Sequence, residues 1–314
     1  MYWGYMLKLS THMWEDESSA PRGWYLKPPY TECNNVDLDV WDSTVAFLGE
    51  CKYNLVLIDV GDGIKYESHP EISAPDAWDK DFLKKKLDEM RALGIEPIPK
   101  LNFSTGHDTW LKEYRRMVST SIYYRVCADL IREVCEVFGY PKLFHIGFDE
   151  EGAQNQASND MIVVRQKDLW WHDLFFFAKE CEKHGARPWM WSDYMWWNEQ
   201  TFLSNMPKSI LQSNWFYGPF MDRDPSRKSY SYQRGYALLE EHGYDQILTG
   251  STWTVDDNLY QTVAHGKIAL KDSPRIKGYL AAPWQFTVEK ARYTLLDDAH
   301  RMYLARKELY PETL

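Results

Sequence analysis

The sequence predicts an α/β chain folded as one (β/α)8 TIM barrel, a single domain over residues 1–314. Three observations carry that expectation. Strand-like apolar runs alternate with stretches of helical period eight times, and glycines stand where helices should hand over to strands. The length of 314 residues also suits one large barrel, which typically needs about 250.

Strands are expected at residues 5–9, 55–59, 96–101, 143–148, 187–191, 210–215, 246–252 and 278–284. Helical periodicity covers 36–52, 80–93, 110–138, 166–184, a short stretch near 199–205, then 230–242, a weaker one near 263–270, and 289–308. Such alternation implies parallel strands joined by right-handed crossovers, and eight units of this kind close most naturally on themselves. Gly94, Gly139, Gly185 and Gly243 each end a helical stretch, where a chain commonly takes the left-handed conformation before entering the next strand. The long polar, aromatic-rich connections follow the strands instead. In a barrel they share the C-terminal face, where sites are built.

Composition narrows the function. Hydrophobic residues at 44% and charged residues at 26% describe an ordinary globular chain without a disordered signature. No apolar run approaches the ~18 residues of a membrane span, and the first ten residues lack the basic and apolar regions of a signal peptide. The expected location is cytoplasmic, or secreted with the signal already removed. Cys33, Cys51, Cys127, Cys135 and Cys181 are odd in number and form no C-x-x-C pair, so they read as unpaired core thiols. Neither H-x-H nor H-x-x-x-H occurs, and no metal or cofactor is expected. A net charge of −10 argues against nucleic acid and anionic membranes, which need basic patches. With 15 Trp, 21 Tyr and 13 Phe, the chain is better suited to a neutral carbohydrate, whose C–H faces lie on flat rings.

The stretch Leu143-Phe144-His145-Ile146-Gly147-Phe148-Asp149-Glu150-Glu151 concentrates the chemistry. It starts as an apolar strand and ends in three carboxylates, which demands a solvated cleft at the strand end. Period two sends Leu143, His145, Gly147 and Asp149 to one face and Phe144, Ile146 and Phe148 to the other. A plain acidic helix start is the competing reading. The other strand ends decide against it: Asp59 and Asp62 on the second, residues 102–107 on the third, Trp191 and Asp193 on the fifth, Asn214 and Trp215 on the sixth. Trp253 with Asp256 and Asp257 follows the seventh, and Trp284 with Gln285 the eighth. Acids at the base of a cup of tryptophans are what a sugar ring requires. His145 reads as a core histidine, Trp170 and Trp171 as packing, and Glu151 as solvated. His107 belongs to a functional-side loop. Asp62 is read either as a turn cap beside Gly61 and Gly63 or as a ligand. Trp189, Trp196 and Trp197 are core or rim, and Asp256 and Asp257 solvate their loop or touch sugar hydroxyls.

His145-Ile146-Gly147-Phe148-Asp149-Glu150 resembles the H-x-G-G-D-E signature of the family 20 glycoside hydrolases, the β-N-acetylhexosaminidases. The second strand through Asp62 resembles the family's sugar-binding strand. The run from Gly94 to Gly106-His107 resembles its I-P-E-x-D-x-P-G-H stretch, and Ala282-Pro283-Trp284 its W-x-E end. The resemblance implies a retaining, substrate-assisted exo-hydrolase in which the sugar's 2-acetamido oxygen attacks the anomeric carbon. Asp149 would hold the acetamido group and Glu150 would serve as general acid and base. Asp62 and His107 would complete a polar network. Trp191, Trp215 and Trp284 would wall the sugar, with Trp253 or Tyr260 taking the place of the family's acetamido-binding tyrosine.

The departures are specific. Lys8-Leu9-Ser10-Thr11-His12 holds no arginine where the first strand ends, Lys100 replaces the third-strand acid, Gln285-Phe286 follows Trp284, and Phe148 stands for the second motif glycine. The chain is read as the barrel alone, without the family's usual N-terminal α/β domain. Rebuilt hydroxyl recognition leans toward N-acetylgalactosamine. Two other functions compete: a two-carboxylate glycosidase pairing Glu150 with Asp193 or Glu289, and a sugar-binding barrel without catalysis.

Overall fold

The computed structural model describes residues 1–14, 31–157, 159–220 and 226–314. Eight parallel strands pair in chain order: β1 (Tyr2–Lys8), β2 (Leu55–Asp59), β3 (Glu96–Lys100), β4 (Leu143–His145), β5 (Arg187–Trp191), β6 (Leu211–Ser213), β7 (Gln246–Gly250) and β8 (Ile276–Ala281). β8 returns to β1, so the barrel is closed. Outside it run α1 (Leu38–Glu50), α2 (Lys80–Ala92), α3 (Ser121–Val137), α4 (Asp168–Lys183), α5 (Tyr194–Trp197), α6 (Glu199–Asn205), α7 (Lys228–Glu241), α8 (Asn258–Ala264) and α9 (Arg292–Leu309).

Local chemistry sets the boundaries. Asp37 starts α1 by accepting the Asp39 and Val40 amides, satisfying donors that a helix start leaves open. Gly94, Gly139, Gly185 and Gly243 have φ between +69° and +78°, the conformation expected where a helix hands over to a strand. β2 and β5 occupy the expected residues. β4 stops at His145, short of the expected 148, because Gly147 and Phe148 leave extended geometry at φ +77° and +71°. The single helix expected over 110–138 is two elements. A 3-10 segment, Thr109–Met117, is broken at Lys112 (φ 54°), and α3 restarts where the Thr120 hydroxyl accepts the Tyr123 amide at 3.3 Å. The weak helix near 263–270 begins earlier, as α8, and finishes in a π-turn over His265–Ala269.

Strand alternation divides the core into two layers. Met6, Leu55, Leu57, Ile98, Leu143, Trp189, Leu211, Ile247 and Leu280 fill the barrel interior. Tyr5, Leu7, Val56, Ile58, Phe144, Ile146 and Leu248 face the helices. Burying each such side chain contributes about 1.5–3 kcal/mol, and a one-residue slip of a strand would exchange the two sets. Toward the C-terminal end the interior becomes ionisable. Lys8, Asp59, Lys100 and His145 are register partners across β1 to β4 and continue the inward parity of Met6, Leu57, Ile98 and Leu143. Charges at that depth need partners. Asp59 serves both lysines, with Lys100 Nζ at 2.7 Å and Lys8 Nζ at 4.0 Å. This polar layer is the floor of the site.

Candidate active site

His145 is the first residue of the floor to specify what stands above it. Its Nδ1 accepts the Gly147 amide at 3.0 Å, and its ring packs 4.4 Å from Trp191. Burial, reinforced by Lys100, pushes its pKa well below the ordinary imidazole value, so it is a neutral core histidine. Gly147 is confined twice over. Its φ is +77°, and a Cβ there would lie 1.9 Å from Asn102 Oδ1. Asn102 thereby packs against the β4 exit, and its Nδ2 donates to Asp149 Oδ1 at 3.0 Å. Ser104 Oγ donates to the Asp149 carbonyl.

Asp149 is 4% exposed. Burial alone would raise its pKa. His107, Lys100 and the Asn102 hydrogen bond overcome that and hold the carboxyl well below the usual carboxylate range. His107 lies between the two acids, with Nδ1 3.2 Å from Asp149 and Nε2 3.3 Å from Glu150. Burial would lower the imidazole pKa, but the two carboxylates win and push it up to about 9. The center is therefore an ionised aspartate and an imidazolium. Beside them stands Glu150, whose side chain is 41% exposed and is the one carboxyl of the trio open to solvent.

The Glu150 peptide is tied on both sides. Its amide donates to Asp193 Oδ2 at 2.8 Å, and its carbonyl accepts the Gly152 amide at 2.7 Å and Asn155 Nδ2 at 2.6 Å. Its φ is +52°, a conformation that costs a non-glycine residue about 1–2 kcal/mol. The side chain is aimed by these bonds.

Rings close the other side. Trp284 lies 5.9 Å from Trp191 and 6.1 Å from Trp14, and its Nε1 donates to the Tyr217 hydroxyl at 2.9 Å. Tyr217 stacks on Trp215 at 5.2 Å, and its hydroxyl, buried, feels both Asp149 and Glu150. Trp215, Tyr217, Trp253 and Phe286 pack half-buried against the inner core. Lys8 Nζ sits 3.9 Å from the Trp14 ring center, a cation–π contact on the same wall.

Asp149, Glu150 and His107 thus stand together, and Trp191, Trp284 and Trp215 are linked through Tyr217, whose hydroxyl feels both acids; Trp253 packs half-buried against the same inner cluster. Other expectations need correction. Tyr260 is on the outer surface of α8, where its hydroxyl donates to Glu308 on α9 at 2.7 Å, so it does not reach the acids. Asp62 is fully buried under the β1 exit, bonded to Ser10 at 2.7 Å and His12 at 2.5 Å. Among the described residues it is not joined to His107: its carboxylate is occupied by Ser10, His12 and Asn34 Nδ2, the last at 3.4 Å. Glu151 is not solvated: its side chain is 6% exposed and accepts the Thr105 amide at 2.9 Å and the Arg165 guanidinium. Arg165, itself fully enclosed, also reaches Asp173 at 2.6 Å, the Tyr123 hydroxyl at 2.9 Å and the Phe103 carbonyl at 3.0 Å. Glu289 pairs with Arg292 at the surface. Asp256 lines a separate cleft of 330 Å³ with Trp253, Gln285 and Asp298.

Three functional-side residues escaped the sequence reading: Trp14, Tyr217 and Arg165. Tyr217 had a usable signal, since it follows Trp215 by two residues and so returns to the same side of an extended segment. Arg165 had none. Among the described residues no group of His, Cys, Asp or Glu is arranged to hold a metal ion, and no helix is long and apolar enough to cross a membrane.

No family model matches the chain, and no curated protein matches it. Solved structures do. The chain is similar to the Flavobacterium johnsoniae chitobiase at 16% identity and a TM-score of 0.62, covering 98% of this chain and 52% of that one. The Streptomyces plicatus N-acetyl-β-hexosaminidase aligns at 13% identity and a TM-score of 0.62, over 95% of this chain and 62% of that one. Dispersin B aligns at 14% identity and a TM-score of 0.61, over 98% of this chain and 99% of that one. At these identities the likeness establishes the (β/α)8 fold. The chain spans about half to two-thirds of the length of the first two relatives.

Proposed function

We propose that the protein is a glycoside hydrolase, a retaining exo-β-N-acetylhexosaminidase that uses the 2-acetamido group of its substrate as the nucleophile. The observation that carries the reading is the His107-bridged pair of Asp149 and Glu150 at the β4 exit, facing a wall of indoles. Asp149 stays ionised and suits the task of accepting the acetamido N–H and stabilising the positive charge of an oxazolinium ion. Glu150, the exposed member, protonates the departing oxygen and then takes the proton from the attacking water. His107 neutralises one of the two carboxylates and fixes their spacing. Trp191, Trp215 and Trp284, with Tyr217, supply the apolar faces for the sugar ring and the acetamido methyl.

A two-carboxylate mechanism through Asp193 fits less well. That carboxyl is buried, is engaged by the Glu150 amide, and is pushed well above the usual carboxylate range by burial and by Asp149. A protonated group is a poor nucleophile. Of the two hexosamines we take N-acetylgalactosamine as preferred, because the β1 exit offers a buried, Asp59-bound Lys8 in place of an arginine. The natural ligand is then a terminal β-linked N-acetylhexosamine on a glycan.

Chromogenic β-glycosides with and without the 2-acetamido group test the reading. Hydrolysis confined to the acetamido sugars, and tight inhibition by an acetamido-derived thiazoline, are expected. Turnover of plain glucosides or galactosides alone would defeat it. A faster rate on the N-acetylglucosaminide than on the N-acetylgalactosaminide would reverse the sugar preference while leaving the mechanism standing.

A further inference from the structure

We propose that Asp193 is a positioning residue for Glu150, holding the peptide from which the proton-donating side chain projects. The inference rests on the reading of Glu150 as the acid. It also has a geometric basis of its own.

Glu150 leaves the strand in a left-handed conformation that nothing in its own side chain favours. Its carbonyl is held by neighbours in the same loop, Gly152 and Asn155. Its amide is held from the neighbouring β5 exit, by Asp193 Oδ2 at 2.8 Å. Asp193 is in turn fixed: it stands two residues beyond Trp191, begins α5, and is followed by Tyr194, whose ring stacks 3.9 Å from Trp170 on α4. The β5 exit therefore sets the pitch of the β4 exit.

The charge state makes this anchor workable. Asp149 and Glu150 face Asp193 from the β4 exit, with His107 beyond them, and Tyr232 approaches from α7. An ionised Asp193 would add a third negative charge to that group. Burial and Asp149 instead raise its pKa well above the ordinary value, so the group is a neutral acid whose carbonyl oxygen accepts from Glu150. Its other oxygen, Oδ1, is buried and has no hydrogen-bond partner among the described residues, a costly place for an anion. Asparagine reproduces the neutral acceptor; alanine removes it.

Two measurements on the full chain separate the possibilities. The first needs no substrate: hydrogen exchange of the Glu150 amide. Asp193→Asn should keep it protected, whereas Asp193→Ala should speed it by at least about tenfold, which corresponds to ~1.4 kcal/mol. The second is steady-state hydrolysis of N-acetylhexosaminides bearing good and poor leaving groups. Asp193→Asn should stay within a few-fold of the wild type. Asp193→Ala should lose about 100-fold in kcat on the poor leaving group, far less on the good one, with KM nearly unchanged. Unchanged exchange in Asp193→Ala overturns the inference whatever the activity does. Equal loss on both leaving groups, or an Asn variant as impaired as the Ala variant, overturns it as well. If exchange responds as expected but the wild type cleaves no N-acetylhexosaminide, the anchor stands and the reading of Glu150 as an acid falls.

Discussion

The two sides of the C-terminal face are built on different principles. Around the exits of β3, β4 and β5 the contacts are between named polar groups: Asn102 with Asp149, His107 with both acids, Asp193 with the Glu150 amide, Arg165 with Glu151. Around β6 and β8 the contacts are rings on rings, Trp215 with Tyr217 and Trp284 with Trp191. The first side is directional and intolerant, because an unpartnered buried charge is costly. The second is graded, because dispersion and apolar burial fall off smoothly as a ring is trimmed. In the proposed function, chemistry falls to the rigid side and substrate fit to the adaptable one.

Substitutions can break that contrast or sharpen it. The largest effect should come from Asp149→Asn, which keeps the shape but removes the charge that the proposed function sets against the acetamido group: kcat should fall by about 10³-fold on acetamido sugars with any leaving group. A loss below tenfold, read by initial rates, would place the essential charge elsewhere. Arg165→Met removes a buried cation and strands Glu151 and Asp173, and should destabilise the fold by about 3–5 kcal/mol in urea unfolding. A midpoint equal to that of the wild type would contradict the hub.

Acidity comes next. The folded His107 pKa of about 9 lies above the ordinary 6.5, so its contribution to stability is complete below about pH 6.5 and is lost as the pH rises through 9. Asp149, lowered in the folded state, contributes above the ordinary carboxylate range, and that contribution fades as the pH falls through its depressed value. The shared ion pair is therefore at full strength between these limits. Losing it on the alkaline side should cost on the order of 3 kcal/mol, visible as a falling Tm. A His107→Gln variant should show a flatter alkaline limb. The smallest effect belongs to the ring side: Trp284→Ala should raise KM about tenfold, and Trp284→Phe about two- to threefold, each with a modest change in kcat. A collapse of kcat in Trp284→Phe would mean that this side is as directional as the other.

How much of this could be read from the chain depended on distance along it. Strand parity is local, and it placed His145 inside the barrel and Phe144 outside, although the strand itself ends at His145. Helix ends were legible from their glycines for the same reason. The burial of Glu151 is not legible, because its partner, Arg165, arrives from a loop fourteen residues later with no periodic pattern around it. Asp62 is not legible in the same way, because a buried aspartate at a strand end has the same sequence context whether His12 or His107 faces it. Tyr260 follows the seventh strand, as an acetamido-binding tyrosine would, but helical phase turns it outward to Glu308. Trp14 is hidden by abundance, since among so many aromatic residues composition cannot rank it, whereas Tyr217 is marked by its spacing from Trp215.

Phe148 shows where such a chain is locked. Its backbone at φ +71° suits glycine, which the family 20 signature carries there, while its ring is 1% exposed among Trp170, Phe177 and Arg165. Glycine would relax the main chain by about 1–2 kcal/mol yet leave a ring-sized void worth roughly 3–5. Any other small residue would inherit both faults. The ring packed against α4 and the left-handed turn that leads into Asp149 and Glu150 are therefore locked together, and a single replacement at 148 cannot relax one without weakening the other.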